Sequence, residues 1–241
     1  MQAVILAGGL GTRLWPITEE IPKPMAPVAG APYLEHQLRL LKRQQITDIL
    51  LLIGHLGKQI ENYFGDGGRL GLSIRYSREI SPLGTGGALR QAGPLLAEQF
   101  LVIYGDSLLP IDYVEVFRAL ERSPAGGLVV VYDNSLADTS VRNNIALDDD
   151  GFVVRYDKEA QGGSQLAYVE AGVLAFRRSI LELIPAGVVS LEKEIYPKLI
   201  ARRQLTAYRT RQRFYDIGTP ERLRSIEAFL LDDHHADSFS N

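Results

Sequence analysis

The sequence predicts an α/β fold: a mostly parallel sheet with helices on both faces and a small antiparallel extension. Three observations predict it. Short apolar runs alternate with stretches of helical spacing through the first half. The second half changes to strands joined by short turns. The chain has 241 residues, 46% apolar and 23% charged, which is ordinary globular usage and excludes a disordered, collagen-like or coiled-coil protein.

Each element follows from its local pattern. Ala3-Val4-Ile5-Leu6 reads as a buried strand. Tyr33 to Gln45 reads as a helix, with Leu34, Leu38 and Leu41 at helical spacing. Ile49 to Ile53 is a second buried strand, Leu56 to Phe64 a short helix ended by Gly65, and Leu72 to Tyr76 an alternating strand. Thr85 to Glu98 reads as one helix and Phe100 to Tyr104 as a fourth strand. Repeated strand–helix–strand units imply a Rossmann-like, mostly parallel sheet. Gly127 to Tyr132, Ile145 to Leu147, Phe152 to Tyr156 and Val169 to Phe176 then read as strands, with Asp148-Asp149-Asp150-Gly151 as a hairpin turn. Helices are expected near Ile180 and from Leu191 to Arg203, a strand from Leu205 to Arg209, and a last helix from Pro220 to Leu231 with Thr219 as its N-cap. One domain over residues 1–231 and a polar tail over 232–241 is the simplest organisation.

Charge and composition bound the function. The net charge of −3 offers no global field for nucleic acid or an anionic membrane, so neither is expected as a partner. Anionic small molecules must be bound by local groups. The absence of cysteine excludes disulfides, thiolate metal sites and cysteine nucleophiles. The N-terminal apolar run lacks a basic segment and a cleavage site, and no run approaches the ~20 residues of a membrane span, so a cytoplasmic protein is expected.

The most informative segment is Leu6-Ala7-Gly8-Gly9-Leu10-Gly11-Thr12-Arg13-Leu14, directly after the first strand. Its glycines let the backbone turn sharply and bring N–H groups to an anion. Arg13 adds a permanent bidentate phosphate donor. An ordinary glycine-rich turn is the alternative. The third glycine of a dinucleotide fingerprint is missing, which counts against a Rossmann oxidoreductase, and no Gly-Lys-Ser/Thr is present. Pro22-Lys23-Pro24-Met25 presents Lys23 from a stiff extended segment, or is a surface lysine in a proline loop. Asp106 follows the strand ending at Tyr104, where open α/β sheets bind ligands; it can hold Mg²⁺ or cap a helix. Gly84-Thr85-Gly86-Gly87 can approach a planar base or simply start a helix. Asp216 by itself is a turn residue. His36 and His55 read as structural, and His234-His235 as solvated. No Gly-x-Ser-x-Gly elbow supports a serine hydrolase.

Gly8-Gly9-Leu10-Gly11-Thr12-Arg13-Leu14-x-Pro16, followed by Pro22-Lys23-Pro24-Met25, resembles the opening of the sugar-1-phosphate nucleotidyltransferases, also called nucleoside-diphosphate-sugar pyrophosphorylases. Pro82-Leu83-Gly84-Thr85-Gly86-Gly87-Ala88, Gly105-Asp106, Ala171-Gly172, Ser190-Leu191-Glu192-Lys193-Glu194 and Tyr215-Asp216-Ile217-Gly218-Thr219-Pro220-Glu221 agree in order, so the resemblance runs to about Phe229. The later stretches look most like heptose 1-phosphate and mannose 1-phosphate guanylyltransferases.

The resemblance implies a GT-A-like catalytic domain over 1–231 that joins an NTP to a sugar 1-phosphate, giving NDP-sugar and pyrophosphate. It implies GTP with a heptose or mannose 1-phosphate, and Mg²⁺ as cofactor. Uridylyl, thymidylyl or cytidylyl transfer to another sugar 1-phosphate shares every motif. A non-catalytic sugar-nucleotide-binding protein is the alternative of another class, and a homo-oligomer is compatible with all of these. By resemblance, Arg13, Lys23 and Asp106 are catalytic. Leu6, Ala7, Gly8, Gly9, Gly11, Thr12, Arg13, Lys23, Gly84, Thr85, Gly86, Gly87 and Asp106 bind nucleotide. Lys158, Glu170, Ala171 and Gly172 bind sugar phosphate, and Asp106 with Asp216 holds the metal. Three positions depart from the pattern: Asp157 where glutamate is usual, Glu170 where many members have asparagine, and Tyr215 where several have tryptophan.

Overall fold

In chain order the strands are β1 (Gln2–Ala7), β2 (Pro27–Val28), β3 (Ala31–Pro32), β4 (Asp48–Ile53), β5 (Ser73–Arg78), β6 (Gln99–Tyr104), β7 (Ser107–Leu108), β8 (Gly127–Tyr132), β9 (Ile145–Leu147), β10 (Val153–Tyr156), β11 (Val169–Arg177), β12 (Leu205–Thr210) and β13 (Tyr215–Asp216). The α-helices are α1 (Tyr33–Arg43), α2 (Gly57–Phe64), α3 (Gly84–Gln91), α4 (Tyr113–Arg122), α5 (Tyr196–Ala201) and α6 (Pro220–Leu231). The computed structural model describes residues 1–14, 16–159 and 166–232. The tail beyond Asp232, with His234 and His235, lies outside the described residues.

The chain divides into two compact units. The first takes Met1–Pro82, Ile103–Leu108 and the chain from Tyr215 onward. Here β1 pairs in parallel with β4, and β4 with β5, in unbroken register from Gln2↔Asp48 and Asp48↔Ser73. The end of β6 lies beside β1, where Gly105 N–H donates to Leu6 O at 3.0 Å. Nearly every side chain of β1 and β4 is buried, which explains apolar runs without alternation. Helix α1 buries Leu34, Leu38 and Leu41 completely, as their spacing predicts.

The second unit takes Leu83–Val102 and Leu109–Phe214. Strand β8 lies between β12, parallel to it, and β11, antiparallel to it, and β6 follows β11. All six residues of β8 are buried. The β9–β10 hairpin closes through Asp148: its carbonyl accepts from Gly151 N–H at 3.1 Å, its side chain from Phe152 N–H at 2.9 Å. The fold is therefore α/β with mostly parallel pairing and small antiparallel pieces, as the sequence predicts.

Three local expectations are corrected. The expected helix Thr85–Glu98 stops at Gln91 and continues only as a 3-10 turn over Gly93–Leu95, because Pro94 has no N–H to donate. The expected helix Leu191–Arg203 is a π-helical turn followed by the short α5, again with a proline, Pro197, at the junction. Helix α4 is absent from the sequence-based expectations. Asp112 caps it, accepting from Val114 N–H at 2.8 Å and Glu115 N–H at 3.3 Å, a cap of about 1 kcal/mol.

Candidate active site

In the first unit the glycine loop leaves the buried end of β1 at Leu6-Ala7. A Cβ on Gly8 would lie 2.8 Å from Glu79 Oε1 and 3.3 Å from the Gly54 nitrogen. Gly11 has φ +66°, and a Cβ there would lie 2.8 Å from the Lys23 Cβ. Gly11 is therefore required by the fold itself, whereas the Glu79 side chain can move aside for a Cβ on Gly8. Gly9 differs: it is exposed, its φ is not in the left-handed region, and a Cβ would meet nothing within 4 Å among the described residues. No contact among the described residues demands glycine there. Thr12 is exposed, and Arg13 sits in the 3-10 turn Thr12–Leu14, its side chain outside what the structure describes.

Lys23 is tucked under this loop. Thr18 donates its hydroxyl to Gly11 O at 2.8 Å, and Lys23 packs against the same glycine. Its ammonium donates to Asp106 Oδ2 at 2.5 Å, with the lysine side chain 10% and the aspartate 33% exposed. Asp106 is held by its backbone on two sides. Gly105 lets the chain press on the end of β1, where a Cβ would come 2.7 Å from Leu6 O. Asp106 O accepts from Ile217 N–H at 3.0 Å. Asp106 is therefore not a helix cap; it stands in the turn before β7.

Asp216 is brought to the same place by β13, which pairs antiparallel with β7 so that Asp216 faces Ser107. Its carboxylate accepts from Gly218 N–H at 2.6 Å and from Arg222 Nη1 at 2.9 Å to each oxygen. Gly218 is needed because a Cβ would lie 2.6 Å from Asp216 Oδ1. Tyr215, the residue that departs from tryptophan, stacks on Phe229 with ring centroids 4.3 Å apart. The first unit thus assembles the glycine loop, Lys23, Asp106 and Asp216. Two carboxylates on neighbouring, backbone-paired segments would supply oxygen donors of the kind Mg²⁺ takes beside phosphate and water. Among the described residues no group of three or more His, Cys, Asp or Glu forms a metal cluster.

The second unit gathers the other candidates. Gly84 has φ +72° and would bring a Cβ to 2.5 Å from Val189 O; Gly87 would bring one to 2.5 Å from Gly187 O. The N–H groups of Gly86 and Gly87 donate to Val189 O at 2.8 and 3.2 Å. These glycines seat α3 against residues 187–189. Thr85 donates its hydroxyl to Glu192 Oε2 at 2.9 Å and accepts from Leu191 N–H at 2.8 Å. Ser190 also donates to Glu192, at 2.6 Å. Glu170 sits where β11 departs from regular register between Glu170 and Leu174, and Gly172 there has φ +76°. Its carboxylate accepts from Tyr196 Oη at 2.7 Å. Burial pushes the Tyr196 and Tyr156 phenols well up, and the Glu170 and Glu192 carboxylates push them further. Both tyrosines therefore stay neutral donors. Ala171 is buried, and Lys158 is exposed in the turn after β10.

His36 is buried on α1 with Nε2 2.8 Å from Val28 O, and burial pushes its pKa down; this is a structural histidine, as its position predicts. Sequence reasoning missed Gln37, Glu192 and Arg222 as neighbours of the candidate residues, because each is recognised only by what it meets in space.

Comparison with known proteins defines the class. The profile described as "Nucleotidyl transferase" matches residues 2–233, and the chain belongs to this family. It is 34% identical over 225 residues to a mannose-1-phosphate guanylyltransferase of Mycobacterium tuberculosis, covering 92% of this chain and 62% of that protein. It is 31% identical to a D-glycero-alpha-D-manno-heptose 1-phosphate guanylyltransferase of Aneurinibacillus thermoaerophilus, covering 95% of this chain and 98% of that one. It is 33% identical to an N-acetylmuramate alpha-1-phosphate uridylyltransferase of Neisseria meningitidis, with 95% and 97% covered. Among solved structures, HddC from Yersinia pseudotuberculosis complexed with GMP-PN superposes with a TM-score of 0.79 at 28% identity, covering 95% of this chain and 99% of that one. The chain spans only 62%, 55% and 60% of the length of three of the curated relatives it matches. No described helix is long and apolar enough to cross a membrane.

Proposed function

We propose that this protein is a sugar-1-phosphate guanylyltransferase, joining GTP to a manno-configured sugar 1-phosphate, a mannose or heptose phosphate, with release of pyrophosphate. The observation that carries this reading is the Lys23–Asp106 contact beneath the glycine loop, with Asp216 on the neighbouring strand. The family membership supplies the reaction class, and the guanylyl relatives and the GMP-PN complex support guanine.

The chemistry asks little of a general base. A phosphate oxygen of the sugar 1-phosphate, already ionised, attacks the α-phosphorus of the NTP. A new P–O bond forms, the bond to the β-phosphate bridge breaks, and pyrophosphate leaves with that electron pair. Catalysis is then positioning and charge stabilisation. In the first unit, Gly8, Gly9, Gly11 and Thr12 present backbone to the triphosphate, and Arg13 takes the β- and γ-phosphates. The unexplained glycine at Gly9 supports this, since it keeps the loop open to close approach by a ligand. Lys23 stabilises charge at the reacting phosphate. Asp106 and Asp216 would hold Mg²⁺, which when bound neutralises phosphate charge. In the second unit, Lys158 takes the sugar phosphate, and the Glu170 carboxylate with Ala171 and Gly172 meets sugar hydroxyls. Nucleoside triphosphates as substrates fit a cytoplasmic location.

The test is pyrophosphate release with Mg²⁺ across GTP, UTP, dTTP, CTP and ATP against a panel of sugar 1-phosphates. A strong signal with GTP and a manno-configured sugar is expected. A signal with UTP alone would overturn the guanylyl reading in favour of uridylyl transfer, to which the Neisseria relative points. Silence in every combination with folded protein would overturn the enzyme reading. Arg13→Ala should lower kcat more than sugar-phosphate affinity; a variant impaired only in the latter contradicts its triphosphate role.

A further inference from the structure

Asp106, in the turn before β7, and Asp216, on β13, lie 110 positions apart in the sequence, yet the segments that carry them are steadied by one face of one helix. Tyr33 and Gln37 are four residues apart on α1, so their side chains lie one above the other. Tyr33, 0% exposed, donates its hydroxyl at 3.2 Å to the carbonyl of Tyr215, the residue before Asp216. Gln37, 2% exposed, donates from Nε2 to Tyr104 O at 2.9 Å and to Ser107 O at 2.5 Å. Those two carbonyls bracket Gly105-Asp106.

Both amide protons of Gln37 are therefore used on the turn that carries Asp106. The side chain's own Oε1 is buried and finds no hydrogen-bond partner among the described residues. A buried acceptor left unpaired costs on the order of 1–3 kcal/mol. Packing alone does not explain glutamine here, since Leu34, Leu38 and Leu41 show what a purely apolar contact on this helix uses. The position makes sense if the turn must be gripped at both ends.

We propose that Tyr33 and Gln37 are positioning residues that set the place of the Asp106 and Asp216 carboxylates, so that the two can share one divalent cation. The inference rests on the metal role proposed above for these aspartates. Helix α1 acts as a ruler: a shift of either strand end breaks a hydrogen bond to a side chain fully locked in the core. Partners that orient metal ligands in this way typically contribute 10–100-fold in metal affinity.

The test is Mn²⁺ binding to the full chain, followed by loss of the free-ion EPR signal, alongside the Mg²⁺ concentration for half-maximal turnover. Gln37→Met keeps volume and removes both hydrogen bonds; Tyr33→Phe keeps the ring and removes one. We expect Mn²⁺ affinity and the Mg²⁺ midpoint to weaken about 10–100-fold in Gln37→Met and about 10-fold in Tyr33→Phe. If Gln37→Met does not fold, Tyr33→Phe decides. Folded variants that bind Mn²⁺ as the parent does overturn the inference, whatever their Tm. Asp106→Asn separates the two claims. If it binds Mn²⁺ unchanged, or the parent binds none, the metal role itself fails. If Asp106→Asn loses Mn²⁺ while the Tyr33 and Gln37 variants do not, only the positioning role fails.

Discussion

Two charged clusters in the first unit look alike in sequence and differ in kind. Lys23 and Asp106 meet at the end of strands, in turns, with the aspartate side chain 33% exposed. Glu35, on α1, is 3% exposed and accepts from Arg39 at 2.7 Å, Arg69 at 2.9 Å and Tyr63 at 3.0 Å. Burial alone would raise the Glu35 carboxyl, but Arg69, Arg39 and Tyr63 together hold it down to about 2. Glu35 is thus closed around by its own protein, and its cluster ties α1 to α2 and the turn carrying Arg69. Asp106 is held mainly through its backbone, which leaves its carboxylate presented rather than enclosed. A buried ion pair is weak evidence for function; the distinction lies in whether the protein encloses the charge or displays it.

Breaking the displayed cluster should cost activity and little stability. Asp106→Asn should lower turnover by about 10³-fold or more with a Tm within a few degrees of the parent, measured by pyrophosphate release and thermal unfolding. Lys23→Met should lower kcat by about 10²-fold; the carboxylate it leaves unpaired is 33% exposed, so its loss of stability should also be small. Near-parental kcat in either folded variant would remove it from the chemistry.

Breaking the enclosed cluster should do the reverse. Glu35→Gln should lose about 2–3 kcal/mol of unfolding free energy in denaturant titration, with kcat changed less than twofold. Its pH dependence sharpens the point. The folded carboxyl lies at about 2 against an ordinary 4.5, so its contribution is fully present above about 4.5 and is lost as pH falls toward 2. That contribution is on the order of 3 kcal/mol. The parent should lose stability over that window more steeply than Glu35→Gln; parallel curves would show that the cluster does not stabilise. The smallest effect expected is from Thr219→Ala, which removes the α6 cap on Arg222 N–H and should cost about 1 kcal/mol in the same titration.

Much of the fold is legible in the sequence because it is local. Apolar runs mark β1, β4, β6 and β8, leucine spacing marks α1, and Thr219-Pro220 marks the start of α6. The proline at Pro94 is equally visible, but a helical pattern on both sides hides its interruption. Among the site residues, the glycine loop and Pro22-Lys23-Pro24 leave phosphate chemistry and ordinary turns both open by residue type alone, and the run of motifs along the whole chain favours the first. Gly84, Gly86 and Gly87 also pack against residues 187–189, a contact that residue type and spacing do not announce.

The sequence by itself determined the order and type of most elements and the family of the chain. These rest on periodicity, turn residues and motif spacing, which are properties of neighbours along the chain. Only the tertiary structure decided which polar groups meet. Lys23 finds Asp106 across 83 positions, Gln37 finds Tyr104 and Ser107 across 67 and 70, and Tyr33 finds Tyr215 across 182. Helical spacing tells which face of α1 is buried, but a buried glutamine is identified by its acceptors, and strand order and packing alone bring those acceptors to it.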